Sequence, residues 1–247
     1  MSPAVHVINL DRSADRLREF RSVNAHLGSF ERFAAIDGAA QSPQELAALG
    51  LIAGNLRYSV GAIGAALSHL RLWEMCAESA APLTICEDDA VLHREFGPVS
   101  ARLIARLPAG WDIVLWAWSF QSAVHFELLH GGGSCLAQCD FREMQQHAAK
   151  YQETPHAFDL YRLRRAFGAI CYTVSAEGAR KLRQAALPLR PMTVWVPLTP
   201  DPVPNVGIDV VMCGEYDKLA AYVCVPPLAL APQRHETTIH GTKAIAS

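Results

Sequence analysis

The chain opens on a change of hydrophobic period, and that change constrains its fold more than any other feature. Ala4-Val5-His6-Val7-Ile8-Asn9-Leu10 is a β-rich run that ends in charge. Beyond Asp11, which reads as a helix N-cap, Leu17, Phe20, Val23 and Leu27 recur every three or four positions with arginines on the other face. A second short strand is expected over residues 30–36, closing in the turn pair Asp37-Gly38. A strand, an amphipathic helix and a second strand bury their apolar faces only against one another. In this order they open a βαβ unit of the nucleotide-binding kind.

The alternation continues along the chain. Helices are expected over 44–49, 61–80, 96–107 and 176–186, the last capped by Ser175 and stopped by Pro188. Strands are expected over 83–86, 111–116 and 167–174, and apolar runs follow at 207–212 and 221–225. This order predicts one α/β domain over residues 1–247, with a mostly parallel central sheet flanked by helices. Residues 119–160 carry weak periodicity and read as a loop-rich insertion, and residues 226–247 as a polar tail. Gly131-Gly132-Gly133 is no phosphate loop, because it lacks a preceding strand and the Lys-Ser/Thr ending.

Composition narrows the function classes. Hydrophobic residues make up 51% and charged residues 19% of 247, enough apolar content for a sizeable core. A net charge of -2 argues against sequence-independent nucleic-acid binding. Arginines cluster at 12, 16, 18 and 21 and at 162, 164 and 165, either as solvated faces or as contacts to phosphate or an anionic membrane surface. The seven cysteines are odd in number, form no C-x-x-C, and sit partly in apolar runs, as buried thiols in a reducing compartment do. With neither a secretory segment nor a membrane-spanning apolar stretch in view, a soluble cytoplasmic protein is expected.

Glu87-Asp88-Asp89 carries the clearest chemical signal. It directly follows the buried strand Leu83-Thr84-Ile85-Cys86, and ligands of open α/β sheets bind beyond strand carboxyl ends. Adjacent carboxylates repel unless solvent or a cation relieves them, and a hard divalent metal can bridge carboxylate to diphosphate. An exposed acidic turn or a helix start would also explain the triplet. Ser68-His69 on the preceding helix and Asp209 beside an apolar run are further candidates. Alone, the first reads as a packed histidine and the second as a helix cap.

The motifs gain weight from their order. Val7-Ile8-Asn9-Leu10-Asp11-Arg12-Ser13-Ala14-Asp15-Arg16 is followed by Ala35-Ile36-Asp37-Gly38, then by Gly61, Gly64 and Leu67-Ser68-His69-Leu70. Ile85-Cys86-Glu87-Asp88-Asp89-Ala90, Phe167-Gly168-Ala169-Ile170-Cys171-Tyr172 and Gly178-Ala179-Arg180-Lys181-Leu182 come next. Asp209 with Met212, Pro226-Pro227 and Gln233 complete the set. In sequence and spacing this series resembles glycosyltransferase family 25, the lipooligosaccharide type. Ala65 departs from the family's cysteine and Thr238 from its serine.

The resemblance implies a GT-A-like fold and metal-dependent, inverting transfer of a hexose, galactose above all, from a UDP-sugar to a glycan hydroxyl. The acceptor would be a lipid-linked lipopolysaccharide precursor at the cytoplasmic face of the inner membrane. It also implies a donor site built from Asn9, Leu10, Asp11, Arg16 and Asp37, with Ser68, His69, Glu87 and Asp88 beside it. Asp89 and Glu87 would ligate Mn²⁺ or Mg²⁺, His235 or His240 would add a ligand, and Asp209 would act as general base. Two other readings compete: a metal-dependent phosphohydrolase or nucleotidyltransferase, and a non-catalytic protein that binds nucleotide-sugar or glycan.

Overall fold

The computed structural model describes residues 4–129 and 131–232. β1 (Ala4–Asn9) leads through α1 (Ala14–Val23) into β2 (Glu31–Ala34). α2 (Pro43–Ala48) and the long α3 (Val60–Ser79) precede β3 (Leu83–Glu87), β4 (Val91–Leu92), α4 (Phe96–Ile104) and β5 (Ile113–Leu115). β6 (Val124–Leu129), β7 (Gly133–Ala137), α5 (Phe141–Glu153) and β8 (Asp159–Arg165) follow. β9 (Cys171–Val174), α6 (Ala176–Ala186), β10 (Thr193–Val194), β11 (Val203–Pro204), α7 (Ile208–Glu215), β12 (Ala221–Val225) and β13 (Ala229–Leu230) complete the described chain.

Local chemistry sets the helix starts. The side chains of Ser42, Ser59, Asp140 and Ser175 each accept a backbone N–H in the first turn of α2, α3, α5 and α6. The first helix differs from expectation: Ser13, not Asp11, is its N-cap, and Asp11 instead pairs with Arg32. The arginines of this segment are largely spent within the fold. Arg12 pairs with Asp37, Arg16 with Asp88 and Arg18 with Asp15, while Arg21 lies over the Phe30 ring at 5.5 Å.

The central sheet has nine strands in the order β2-β1-β3-β9-β5-β12-β8-β6-β7. It is mixed, which corrects the expected mostly parallel sheet. β1 pairs in parallel with β2 and β3, and β5 with β12, but the remaining neighbours are antiparallel. Strand–helix alternation fixes the class but not strand direction, and β9 arrives late in the chain to insert antiparallel between β3 and β5. The expected loop over 119–160 is also corrected. It holds β6, β7, α5 and the start of β8, which extend the sheet to one edge. Its periodicity is weak because β7 is a largely exposed edge strand and α5 buries only Ala148 and Gln152.

Alternation along the strands divides the core between the two sheet faces. Ile8, Ile85, Ile113, Leu115, Tyr172 and Val223 face α3, α6 and α7, with Trp73, Leu182 and Met212. Val7, Cys86, Val114, Cys171 and Cys224 face the other layer, with Phe20 of α1 and Phe96, Val99 and Leu103 of α4. All seven cysteines are free, five of them buried.

The two glycine motifs are packing devices. A Cβ on Gly38 would lie 1.9 Å from the Val60 carbonyl oxygen, and one on Gly64 would lie 2.5 Å from that of Ile36. Only glycines let α3 rest on the 36–38 turn. Ser68 Oγ fastens the crossing, accepting the Ile36 N–H at 2.9 Å and donating to Gly64 O at 2.7 Å.

Candidate active site

β1 and β3 are parallel neighbours, so their carboxyl ends, Asn9 and Glu87, emerge at one sheet edge. The chain then turns sharply, the Ala90 N–H donating to Glu87 O at 3.2 Å. Asp88 and Asp89 are the middle residues of that turn and reach different surroundings. Asp88, 8% exposed, is ion-paired with Arg16 and accepts the Asn9 carboxamide N–H at 2.7 Å. Asn9 is consumed in turn: it donates to Ser13 O at 3.0 Å and its Oδ1 accepts Arg32 Nε–H at 3.1 Å.

Asp89 and Glu87 turn toward a cavity of about 330 Å³, which Arg16 and Asp209 also line. Asp209 comes from the first turn of α7, far along the chain, and its Oδ2 accepts the Gly168 N–H at 3.0 Å. Gly168 sits at φ +93, where a Cβ would also meet Ser119 N at 2.9 Å, so this donor requires glycine. Trp118, Phe120, Phe141 and Phe167 add aromatic surface to the lining. Ala65, the departure from the family cysteine, also lines the space.

The electrostatics of the cavity are unbalanced. Glu87, Asp89 and Asp209 face it, and Arg16 is the cation among its lining residues, already shared with Asp88. Burial, reinforced by the charge of Glu87, pushes Asp89 up to about 7. Burial and the same neighbour raise Asp209 above the ordinary carboxylate range, against the Gly168 hydrogen bond.

Three cavity-lining residues carry a buried polar atom without a hydrogen-bond partner: Asp89 Oδ1, Arg16 Nε and Trp118 Nε1. Folded chains rarely leave such atoms unsatisfied unless a ligand, ion or water completes them. Glu87 and Asp89 offer the oxygen ligands a hard divalent cation takes. Among the described residues no group of three His, Cys, Asp or Glu is close enough to hold a metal. A cation at Asp89 would therefore complete its shell from ligand oxygens or water.

The sequence candidates divide accordingly. Arg16, Glu87, Asp89 and Asp209 are brought together around the cavity. Leu10, Asp11 and Asp37 are not among its lining residues, and Asp37 pairs with Arg12 and accepts the Ala39 N–H at 3.0 Å. Asn9, Ser68 and Asp88 support the wall from within, their polar atoms satisfied by the protein. His69 is fully buried behind Glu87, its Nε2 at 3.7 Å from Glu87 Oε1. His235, His240, Gln233 and Thr238 lie outside the described residues.

The two neighbouring tryptophans part company: Trp116 Nε1 donates to Thr173 Oγ1 at 2.7 Å in the core, whereas Trp118 lines the cavity. Phe141 and the Gly168 N–H had no sequence signal as site groups, because only the fold carries them to the acids.

The family model for glycosyltransferase family 25 (LPS biosynthesis protein) matches residues 2–197. That span takes in Arg16, Glu87, Asp89 and Trp118 and ends before Asp209. A search of curated proteins finds no match. With the family model matched over most of the chain, on a mixed α/β sheet with acids at a strand carboxyl end, the protein belongs to glycosyltransferase family 25 and is a glycosyltransferase.

Proposed function

We propose that this glycosyltransferase moves a hexose, galactose in the reading we favour, from a UDP-sugar to a glycan hydroxyl with inversion, using Mn²⁺ or Mg²⁺. The observation that carries this reading is the acidity of the cavity. A nucleoside diphosphate would bring further negative charge beside Glu87, Asp89 and Asp209, while Arg16 is committed to Asp88. Two like charges 4 Å apart repel by about 4 kcal/mol at an effective dielectric near 20. A hard divalent cation held by the carboxylates would relieve that repulsion.

Asp89, with an unpartnered buried oxygen, and Glu87 would hold that cation. When bound, it stabilises charge on the departing diphosphate. The chain's own residues do the rest. Arg16, held by Asp88 and backed by Asn9, offers its unpartnered Nε–H to the donor. Leu10, Asp11 and Asp37 follow strand ends at the edge where open sheets bind ligands, which supports a nucleoside lying over that rim.

Asp209 takes the proton of the acceptor hydroxyl as its oxygen bonds to the sugar's anomeric carbon and the bond to UDP breaks. A carboxylate with a raised pKa suits this role near neutral pH, and the Gly168 N–H fixes its orientation. The family's description as LPS biosynthesis proteins supports a lipid-linked acceptor, met at the cytoplasmic face of the inner membrane. No helix among the described residues is long and apolar enough to cross a membrane.

The test is UDP release from a panel of UDP-sugars with Mn²⁺ or EDTA, using wild type and Asp89→Ala. Mn²⁺-dependent turnover of one donor, lost in the variant, is the expected result. Metal-dependent UDP binding without turnover of any donor would favour a non-catalytic binder, and absence of UDP binding would overturn the proposal.

A further inference from the structure

Glu87 lines the cavity, and the neighbour in ion-pair range of its carboxylate is His69. We propose that His69 is a positioning residue for Glu87, locked by Tyr172 and Trp73 in the tautomer that turns an N–H toward that carboxylate. The inference rests on the donor-site reading of Glu87 given above.

Sheet and helix periodicity bring the four side chains together. β3 and β9 are antiparallel with Ile85 opposite Tyr172, and the alternation of side chains puts Glu87 on the same face as Ile85. α3 packs on that face, and its i, i+4 spacing aligns His69 with Trp73. The His69 and Tyr172 rings stack at 5.7 Å between centroids, 26° apart.

The tautomer follows from counting protons. Trp73 Nε1, which can only donate, lies 2.8 Å from the Tyr172 hydroxyl oxygen, so that oxygen accepts there. Tyr172 is fully buried, and its own proton has one partner among the described residues, His69 Nδ1 at 2.8 Å. An imidazole that accepts at Nδ1 carries its proton on Nε2. That Nε2 is buried, has no hydrogen-bond partner, and stands 3.7 Å from Glu87 Oε1.

At 3.7 Å the contact is longer than a hydrogen bond, so the nitrogen stands near the carboxylate without engaging it. Catalytic contacts are often long without substrate and tighten in the complex. His69 thus gives a flexible glutamate one preferred orientation. A histidine present only for packing would have no reason to leave its unpartnered nitrogen facing the cavity acid.

Long-range ¹H–¹⁵N spectra of protein labelled at histidine rings, with His69→Gln to assign the signal, test the tautomer directly. The expected spectrum shows His69 protonated at Nε2 and bare at Nδ1, with the two tautomers mixed in Tyr172→Phe. A proton on Nδ1 in wild type would overturn the proposal.

For UDP release, His69→Leu should lower kcat/KM for the donor about 10–100-fold, and His69→Gln, which keeps a donor, should stay within about threefold of wild type. Equal losses in both folded variants would reduce His69 to packing. If wild type binds no UDP, the donor-site reading fails by itself, and the ring spectra still decide the tautomer.

Discussion

Replacing Asp89 by asparagine should make the metal-free protein more stable at neutral pH, and by an amount that grows with pH. In the fold Asp89 titrates at about 7 instead of 3.8, chiefly because it is buried and secondly because Glu87 repels its charge. Below about pH 4 the group is protonated in both folded and unfolded chains and contributes nothing. Between 3.8 and about 7 the unfolded chain releases the proton while the folded one retains it, so stability falls as pH rises.

Each pKa unit is worth about 1.4 kcal/mol, so the full window amounts to about 4 kcal/mol, or about 2–4 once solvent reaching the half-buried side chain is allowed for. Asp89→Asn should therefore match wild type near pH 4 and exceed it by about 2–4 kcal/mol at pH 8. For a chain of this size that corresponds to about 2–4 °C in Tm per kcal/mol. Urea unfolding of both proteins in EDTA from pH 4 to 8 measures the difference. Saturating Mn²⁺ should then raise the wild type, by about 2.7 kcal/mol at a hundred times Kd, and leave the variant in place. Parallel pH profiles, or equal stabilisation by Mn²⁺, would refute the argument that Asp89 is a buried charge waiting for a cation.

Asp209→Asn should lower turnover about 10²–10⁴-fold, as loss of a general base does, while UDP affinity by calorimetry stays nearly constant. Gly178→Ala would set a Cβ 2.1 Å from the Asp112 carbonyl oxygen, forcing α6 off β5. A loss of about 1–3 kcal/mol or more by urea unfolding is expected. Trp116→Phe removes a buried hydrogen bond to Thr173 and should cost about 1–3 kcal/mol, whereas Trp118→Phe removes an N–H that has no partner. Its unfolding midpoint should move less, and equal shifts would contradict the unpartnered state of Trp118.

The α/β class was legible because period-two and helical runs alternate from the first strand onward, and caps such as Ser175 need only local chemistry. The acid triplet was legible as a candidate site because a strand runs straight into it. The same sequence could not say that β9 inserts antiparallel between β3 and β5, since strand direction is settled by long-range pairing. Nor could it reveal that residues 119–160 form an edge hairpin and a helix, whose exposed faces blur the pattern that marks buried elements.

The triplet itself was divided by the fold: β3 and the turn after it send Glu87 toward α3, Asp88 to Arg16 and Asp89 into the cavity. Ser68 and Gly64 stood in a motif, yet their chemistry is a backbone crossing seen only when α3 meets the 36–38 turn. Periodicity and turn chemistry act between near neighbours and can be read from sequence. The meeting of Asp209 with Asp89, and the proton count around Tyr172, depend on groups far apart along the chain, and tertiary structure alone decides them.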